Sequence, residues 1–218
     1  MISSNPNTKN WKAYFNMNKD QKQLQSIYES VSDSVDISSQ ELKTLPQDWS
    51  QIDIKGDFEC YRNNLTSLKG APISVGGGFN CYNNQLTSLE GTPRSIKGGF
   101  DCSYNKLTSL EGAPETVGGD FYCYLNELTS LEGVTDHIGG NFSCSYNKLT
   151  SLKGSPRSIE GNFDCSNNKL TSLKGAPETV GGKFISDQFS DEEYREYIKD
   201  LHKYDKLKSK HKELEGIF

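Results

Sequence analysis

Apolar positions return along this chain with a period of 21 residues. In each repeat a phenylalanine and a cysteine stand two residues apart. A spacing of two places both side chains on one face of a short strand, with the intervening residue on the other face. The pairs are Phe58/Cys60, Phe79/Cys81, Phe100/Cys102, Phe121/Cys123, Phe142/Cys144 and Phe163/Cys165, and Phe184 continues the phenylalanine series.

Other positions recur in step with these pairs. Leu-Thr-Ser-Leu follows each pair, from Leu65–Leu68 to Leu170–Leu173, and a Val or Ile follows further on. An asparagine stands three residues after each cysteine, where its amide can bond buried backbone groups at a bend of the chain. The asparagines are Asn63, Asn84, Asn105, Asn126, Asn147 and Asn168.

A unit of 21 residues cannot bury its apolar side chains alone, but a stack of such units can. We therefore predict an α/β solenoid whose strands form a parallel sheet, with neighbouring coils ~4.8 Å apart. The predicted divisions are an N-terminal helical cap (1–41), the solenoid (42–186) and a C-terminal helix (187–218).

Both ends carry helical patterns that would cover the exposed ends of a solenoid. Helical spacing of apolar residues predicts one helix over residues 8–17 and a second after Asn18. At the other end, Ser190 and Glu193 form a capping box. The helix after it would present Tyr194, Tyr197, Ile198, Leu201, Tyr204 and Leu207.

Composition narrows the function classes. The hydrophobic fraction is low (33 %), which favours a thin core along an elongated body. The net charge of −5 gives no basic field, so we expect no nucleic-acid partner. We find neither an apolar run long enough to span a membrane nor an export signal, and we expect a cytoplasmic protein with reduced cysteines.

The cysteines are the strongest candidates for chemistry, but their pattern favours packing. No C-x-x-C pair is present, and parallel Cβ vectors of stacked strands fit disulfide geometry poorly. We find no phosphate-binding loop, nucleophile elbow or histidine-containing triad. We therefore expect no metal, no cofactor and no enzymatic activity.

The repeat F-x-C-S-x-N-x-L-T-S-L resembles the leucine-rich-repeat core L-x-L-x-x-N-x-L. It is similar to the shortest bacterial type, L-T-S-L-P-x-L-P with a period of 20, found in secreted effector proteins. Here the repeat has one extra residue before Phe. Similar variants resemble those encoded by bacteria and large bacteriophages. The resemblance covers roughly residues 42–186 and implies a solenoid arc with the parallel sheet on its concave face.

Residues that vary between repeats are the candidates for recognition. In a leucine-rich repeat, the position before Phe, the position between Phe and Cys and the two positions after Cys line the concave face. Here they form a tyrosine-rich strip with scattered carboxylates, and aromatic residues are enriched at protein interfaces. The alternative is that exposed tyrosine simply favours strands. The predicted binding residues are Glu59, Tyr61, Tyr82, Asp101, Tyr104, Tyr122, Tyr124, Leu125, Tyr146 and Asp164.

The fourth repeat departs most from the others. It carries Tyr122, Tyr124 and Leu125, and later Val134, Asp136 and His137 where other repeats have a proline-containing segment. We predict that Tyr122, Tyr124 and Leu125 anchor a partner.

The resemblance leads to the hypothesis of a non-enzymatic protein-binding scaffold, for example a phage-encoded inhibitor that blocks a bacterial defence protein. The alternative is a substrate-recognition or structural subunit of a larger assembly. The charged segment after Lys203 is typical of a solvated helix, or it docks a partner or a second copy of the chain.

Overall fold

The computed structural model describes residues 9–10, 34–45 and 50–215. Over these ranges the chain is a succession of short strands followed by one helix. In chain order the elements are β1 (Lys9–Asn10), β2 (Val35–Asp36), β3 (Asp53–Ile54), β4 (Phe58–Glu59), β5 (Ser74–Val75), β6 (Phe79–Asn80), β7 (Ser95–Ile96), β8 (Phe100–Asp101), β9 (Thr116–Val117), β10 (Phe121–Tyr122), β11 (His137–Ile138), β12 (Phe142–Ser143), β13 (Ser158–Ile159), β14 (Phe163–Asp164), β15 (Thr179–Val180), β16 (Phe184–Ile185) and α1 (Asp191–Glu215).

The strands of the described ranges form two parallel sheets. Sheet A has nine strands in the order β1-β2-β4-β6-β8-β10-β12-β14-β16, and sheet B has seven, from β3 to β15. Each full repeat gives one strand to each sheet, and equivalent residues pair in register, as Phe79 with Phe100 and Ser74 with Ser95. The predicted solenoid with stacked parallel strands is confirmed.

The core lies between the two sheets, where the Phe, Cys, Leu and Val/Ile columns are buried. The phenylalanine rings form a continuous column of contacts, stacked for Phe58 and Phe79 with centroids 5.3 Å apart and edge to face for Phe100 and Phe121 at 5.0 Å. The predicted inward direction of Phe and Cys is therefore confirmed.

The asparagines join consecutive coils, as predicted. The Nδ2 group of Asn84 donates to the carbonyl of Cys81 in its own repeat (3.0 Å) and to that of Cys60 in the previous one (3.1 Å). Its Oδ1 accepts a hydrogen bond from the backbone N–H of Leu65 at 3.0 Å. One side chain thus satisfies three buried backbone groups where the chain leaves sheet A.

Glycine is required where coils approach closely. Gly91 has a φ of +91°, and a Cβ there would lie 2.8 Å from the carbonyl of Leu68 in the previous repeat. Gly98 precedes a strand of sheet A, and a Cβ there would lie 2.6 Å from the carbonyl carbon of Gly77. These contacts explain why glycine columns accompany the apolar ones.

Sheet B was not predicted from the sequence. The pattern places the Val/Ile column inward, which is confirmed, as Val75 and Ile96 are buried. The adjacent Ser74 and Ser95 are the residues that complete each strand, so the return segment is itself a ladder of parallel strands. A two-residue strand is too short to show alternation in the sequence.

The N-terminal part of the prediction is partly corrected. Lys9–Asn10, which the spacing placed in a helix over residues 8–17, is a strand and pairs with Val35–Asp36. Val35 pairs with Phe58, and both Val35 and Ile37 are buried, so they take the places of Phe and Cys. Residues 34–41, the end of the predicted helical cap, hold a strand and a turn, and residues 1–8 and 11–33 lie outside the described residues.

The helix α1 covers the last coil. Its capping box is confirmed, since the Glu193 N–H donates to Ser190 Oγ (3.2 Å) and the Ser190 N–H donates to Glu193 Oε2 (2.7 Å). Tyr194 stacks on Phe184 with centroids 4.5 Å apart, and its hydroxyl donates to the Pro177 carbonyl at 2.9 Å. Within the described residues, no helix has the length and apolarity needed to cross a membrane.

Candidate functional site

The outer surface of sheet A carries most of the variable residues of the repeats. Each strand presents one residue outward between the buried Phe and Cys, and the next two residues after Cys continue the same surface. We call this surface the tyrosine face. Its ten predicted binding residues lie along the stack from Glu59 to Asp164.

Tyrosine rings contact one another across neighbouring repeats. Tyr61 stacks on Tyr82 with centroids 5.3 Å apart, Tyr82 meets Tyr104 edge-on at 6.3 Å, and Tyr104 meets Tyr124 at 5.7 Å. Tyr122 lies 6.2 Å from Tyr124 within the same repeat. The predicted tyrosine residues of the first four repeats therefore form one continuous aromatic surface.

An open groove of about 710 Å³ continues this surface toward the C-terminal end of the stack. It brings together six of the predicted residues: Tyr104, Tyr122, Tyr124, Leu125, Tyr146 and Asp164. Glu59, Tyr61, Tyr82 and Asp101 do not line the groove and lie on the N-terminal side of it.

The groove forms because side-chain size changes between repeats. The residue after Cys is Tyr124 in the fourth repeat but Ser145 and Ser166 in the next two. Small side chains there leave a depression, which Tyr146 and the exposed Ile185 border. Ile185 is not evident from the repeat pattern because it stands in the last, irregular coil, although it occupies the same outward column as Asp164.

Three of the predicted residues have a left-handed backbone. Tyr104, Leu125 and Tyr146 all have a φ of +53°, at the position that Asn occupies in the second and sixth repeats. Asparagine tolerates this conformation, whereas bulky residues adopt it at a cost of roughly 1 kcal/mol. All six full repeats have this left-handed residue, so the turn belongs to the repeat geometry and not to the groove alone. The turn thus aims large side chains at the groove at an energetic cost that the rest of the repeat offsets.

The N-terminal part of the tyrosine face is acidic. Burial raises the pKa of Glu59 to about 7, and the nearby carboxylates of Asp57 and Asp36 add to the effect. Burial also raises the pKa of Asp101, although the Ser103 N–H donates to its Oδ1 at 2.9 Å. These carboxyl groups lie in surroundings that disfavour their charge.

A hydrogen-bonded network supports Tyr122. Its hydroxyl donates to Asp120 Oδ2 at 2.7 Å, and burial together with this bond raises the pKa of Tyr122 to about 12. The backbone N–H of Asn141 donates to Asp120 Oδ1 (2.6 Å), and that of Asn162 donates to Asn141 Oδ1 (2.9 Å). The position before Phe is therefore a second ladder between repeats, whereas the sequence pattern alone indicates only a variable column.

The cysteines face the core and not this surface. All six are buried and unpaired, as predicted, and burial raises the pKa of every thiol, to about 12 for Cys165. Cys102 and Cys123 donate weak hydrogen bonds of 3.4 Å to the carbonyls of Tyr122 and Ser143. Across the described ranges, no three His, Cys, Asp or Glu side chains are grouped so as to hold a metal ion.

The departures of the fourth repeat do not form one site. Tyr122, Tyr124 and Leu125 lie together in the groove, whereas His137 belongs to sheet B and contacts Ser158 Oγ at 2.7 Å. Val134 is half-buried and packs against the core. The structure therefore separates the anchor residues from the changes at sheet B.

The LRR domain of a Shigella effector is among the solved structures similar to this chain, with a TM-score of 0.54 and 19 % sequence identity. The match covers 82 % of this chain and 96 % of that domain. No protein-family model matches the sequence, and neither does any curated protein. The likeness shows the fold, and it confirms the leucine-rich-repeat solenoid with a C-terminal helix.

Proposed function

We propose that the protein is a non-enzymatic scaffold that binds a partner protein through the tyrosine face. The observation that carries this proposal is the continuity of the aromatic surface with the groove that Tyr104, Tyr122, Tyr124, Leu125 and Tyr146 line. The leucine-rich-repeat fold is typically a binding scaffold, and its elongated surface suits a macromolecular partner.

Physical chemistry favours this face as the interface. Tyrosine offers a large contact area with only two side-chain torsions to immobilise, so it contributes binding energy at a small entropic cost. The hydrogen bond from Tyr122 to Asp120 and the ring contacts among neighbours hold the tyrosines in place before binding. A pre-organised surface of this kind reduces the cost of ordering side chains on association.

The finer proposal concerns the partner's identity. The resemblance of the repeats to bacterial and bacteriophage variants supports an intracellular partner in a bacterial cell. We propose that binding blocks this partner and that the partner is a host defence protein. Affinity purification from bacterial cells, followed by mass spectrometry, tests this version. A single stoichiometric host enzyme would support it, and virion or machine components would contradict it.

A triple substitution tests the binding face itself. Changing Tyr122, Tyr124 and Leu125 to alanine should weaken binding of the purified partner by about 2 kcal/mol or more, roughly thirty-fold in Kd. Circular dichroism should show that the fold is retained. Unchanged affinity in a folded variant would remove these residues from the interface.

The matched control lies on the other sheet. Thr116, His137 and Thr179 are exposed outward residues of sheet B. Changing these three to alanine should leave the affinity within about two-fold, since surface residues outside an interface contribute little. A loss equal to that of the first triple variant would contradict a site confined to the tyrosine face.

The second candidate is a subunit of a larger assembly, held through the far half of α1. Tyr204 and Leu207 favour it, since they are 62 % and 59 % exposed on a helix whose first turns pack on the last coil. Deleting residues 205–218 and measuring the mass by sedimentation separates the alternatives. Fewer chains per particle than in the parent would support assembly through this helix, and an unchanged number would support a solvated helix.

A further inference from the structure

We propose that the tyrosine face binds an extended, arginine-rich segment of the partner protein. This proposal rests on the function proposed above and adds the chemistry of the partner.

Negative charge is concentrated on this face. The outward column of sheet A carries Asp36, Glu59, Asp101 and Asp164. Asp120 lies beside the same surface and contacts Tyr122. The first, third, fourth and sixth repeats thus carry a carboxylate on or beside this face, and the second and fifth carry none. A partner segment with positive charge would meet these carboxylates at intervals along the stack, whereas phosphate groups would be repelled.

Positive charge is confined to the two ends of the face. From residue 78 to residue 167, a range that the structure describes in full, the position before Phe, the outward strand position and the two positions after Cys hold neither Lys nor Arg. Arg62 stands in the first full repeat and Lys183 just before the last strand. No lysine or arginine at these positions therefore neutralises the central carboxylates of Asp101 and Asp164, which can bind cations of a partner.

The acidic groups also lie where burial and neighbouring negative charges disfavour their ionised form, and a bound cation would reduce that energetic cost. Burial and the charges of Asp57, Asp36 and Asp101 disfavour the ionised form of Glu59, which raises its pKa to about 7. A guanidinium placed among these groups would stabilise the ionised carboxylates, and binding would gain that energy.

The chain already shows how a guanidinium fits this surface. Arg62 lies over the ring of Tyr82, with its Cζ 5.7 Å from the ring centroid. The next rings along the stack, Tyr104 and Tyr124, are half-buried to exposed and lie near Asp101. Arginine is favoured over lysine here because its planar group stacks on aromatic rings and binds carboxylates in a bidentate manner.

The spacing of the carboxylates indicates an extended segment. Glu59 and Asp164 lie five strands apart in sheet A, a span of roughly 24 Å at about 4.8 Å per strand. An extended chain covers about 3.3 Å per residue, so about eight residues reach from one carboxylate to the other. Such a segment would cross the tyrosine ring ladder on its way.

A labelled octapeptide of alternating Arg and Ser is the probe, used with the full chain at about 0.1 M salt so that long-range attraction is screened. The same peptide with citrulline for arginine keeps the shape and removes the charge. We expect the citrulline peptide to bind at least ten-fold more weakly and an alternating Lys peptide about three-fold more weakly. Equal affinity for the arginine and citrulline peptides would overturn the proposal.

Substitutions on the face locate the binding site. The triple variant Glu59→Gln, Asp101→Asn and Asp164→Asn should bind the arginine peptide at least ten-fold more weakly than the parent. Its circular dichroism should match that of the parent.

A control triple variant removes the same charge elsewhere. Glu90→Gln, Glu111→Gln and Glu196→Gln change exposed positions outside the tyrosine face. This variant should bind the peptide within two-fold of the parent. Equal losses in the two triple variants would show general attraction to an acidic protein and would overturn the proposal.

The purified partner distinguishes this proposal from the proposed function. The face charge variant is the triple substitution of Glu59, Asp101 and Asp164. If the partner no longer binds when Tyr122, Tyr124 and Leu125 become alanine but still binds the face charge variant, the tyrosine face binds protein and the proposal of an arginine-rich segment is wrong. If neither variant affects binding, both proposals fail. If the free protein forms a salt-sensitive oligomer that the face charge variant dissolves, the occupant is a second copy with its lysine-bearing helix, which also overturns the proposal.

Discussion

The buried asparagine of each repeat links two coils through its side-chain amide. Asn105 donates from Nδ2 to the carbonyls of Cys81 and Cys102, both at 3.1 Å, and accepts from the Leu86 N–H at 3.0 Å. These backbone groups are shielded from water, so the amide that bonds them has no substitute.

Changing Asn105 to alanine should therefore lower the free energy of unfolding by about 3 kcal/mol, since buried donors and acceptors would lose their partner. Urea denaturation followed by circular dichroism measures this change. The control is Asn64→Ala at an exposed position directly after the ladder residue Asn63, which should stay within about 0.5 kcal/mol of the parent. Equal effects of the two substitutions would contradict the structural role of the ladder.

The raised pKa of Glu59 makes stability depend on pH. The ordinary pKa of the carboxyl is 4.5 and its pKa in the folded protein is about 7. The folded state binds the proton more tightly than the unfolded state does. The contribution of Glu59 to the free energy of unfolding is therefore favourable at low pH and is lost as pH rises from 4.5 to about 7. We expect Glu59→Gln to be more stable than the parent by about 1–2 kcal/mol at pH 8 and nearly equal at pH 4.

Urea midpoints of parent and variant between pH 4 and pH 8 provide the measurement. Glu90→Gln, at an exposed position, should follow the pH dependence of the parent. If the urea midpoints of Glu59→Gln and the parent changed with pH in parallel, the ionised form of Glu59 would not destabilise the folded protein as predicted.

The structural roles of single residues can be predicted from the sequence in some cases and not in others. The asparagine ladder could be predicted because a recurrent amide beside a bend has few other uses. The left-handed φ of Leu125 could not, because the sequence gives leucine no preference for that conformation. The ladder through Asp120, Asn141 and Asn162 was also missed, since glycine replaces the polar residue in two repeats and hides the pattern.

At the scale of elements, the solenoid is built from strands of two residues that gain stability only by stacking. The 21-residue period and the Phe-x-Cys alternation are enough to predict sheet A. Sheet B escapes prediction because its strands contribute one buried residue each, as Ile96 does. The early strand Val35–Asp36 also escapes prediction, because Val and Ile replace Phe and Cys there.

The C-terminal helix stabilises the last coil through Tyr194. Changing Tyr194 to alanine should cost about 3–5 kcal/mol, since a buried ring stacked on Phe184 is removed. Changing it to phenylalanine should cost about 1 kcal/mol through loss of the bond to the Pro177 carbonyl. Thermal or urea unfolding checks both values.

Tyr204 is the matched control on the same helix. It is 62 % exposed, and its replacement by alanine should change stability by less than about 0.5 kcal/mol. If Tyr194→Ala were as mild as Tyr204→Ala, the helix would not serve as the cap of the solenoid.

At the scale of the whole molecule, each repeat contacts only its neighbours, so stability is close to a sum over repeats and their interfaces. Deleting residues 85–105 removes one period and joins Asn84 to Lys106 in register. We expect this variant to fold with a smaller urea m value, because less surface is buried.

Deleting residues 85–104 removes one residue fewer and shifts the register at the junction. This variant should lose cooperative unfolding or be strongly destabilised, because the ladders of buried side chains would no longer meet. Equal stability of the two deletions would contradict a stack held in register.

The candidate site was predicted in part. Outward columns can be read from the repeat, and six of the ten predicted residues meet in the groove. The groove itself depends on the relative sizes of Tyr124, Ser145 and Ser166 in neighbouring coils and on Ile185 beyond the regular repeats. Such a depression is a property of side chains from several coils together, and no single repeat contains it.

Site-specific photo-crosslinking tests the central claim most directly. A photoreactive amino acid at Tyr146, on the tyrosine face, should crosslink to the bound partner, whereas the same amino acid at the exposed Thr116 of sheet B should not. Crosslinking from Thr116 and none from Tyr146 would show that the partner binds the opposite side of the solenoid and would contradict the account.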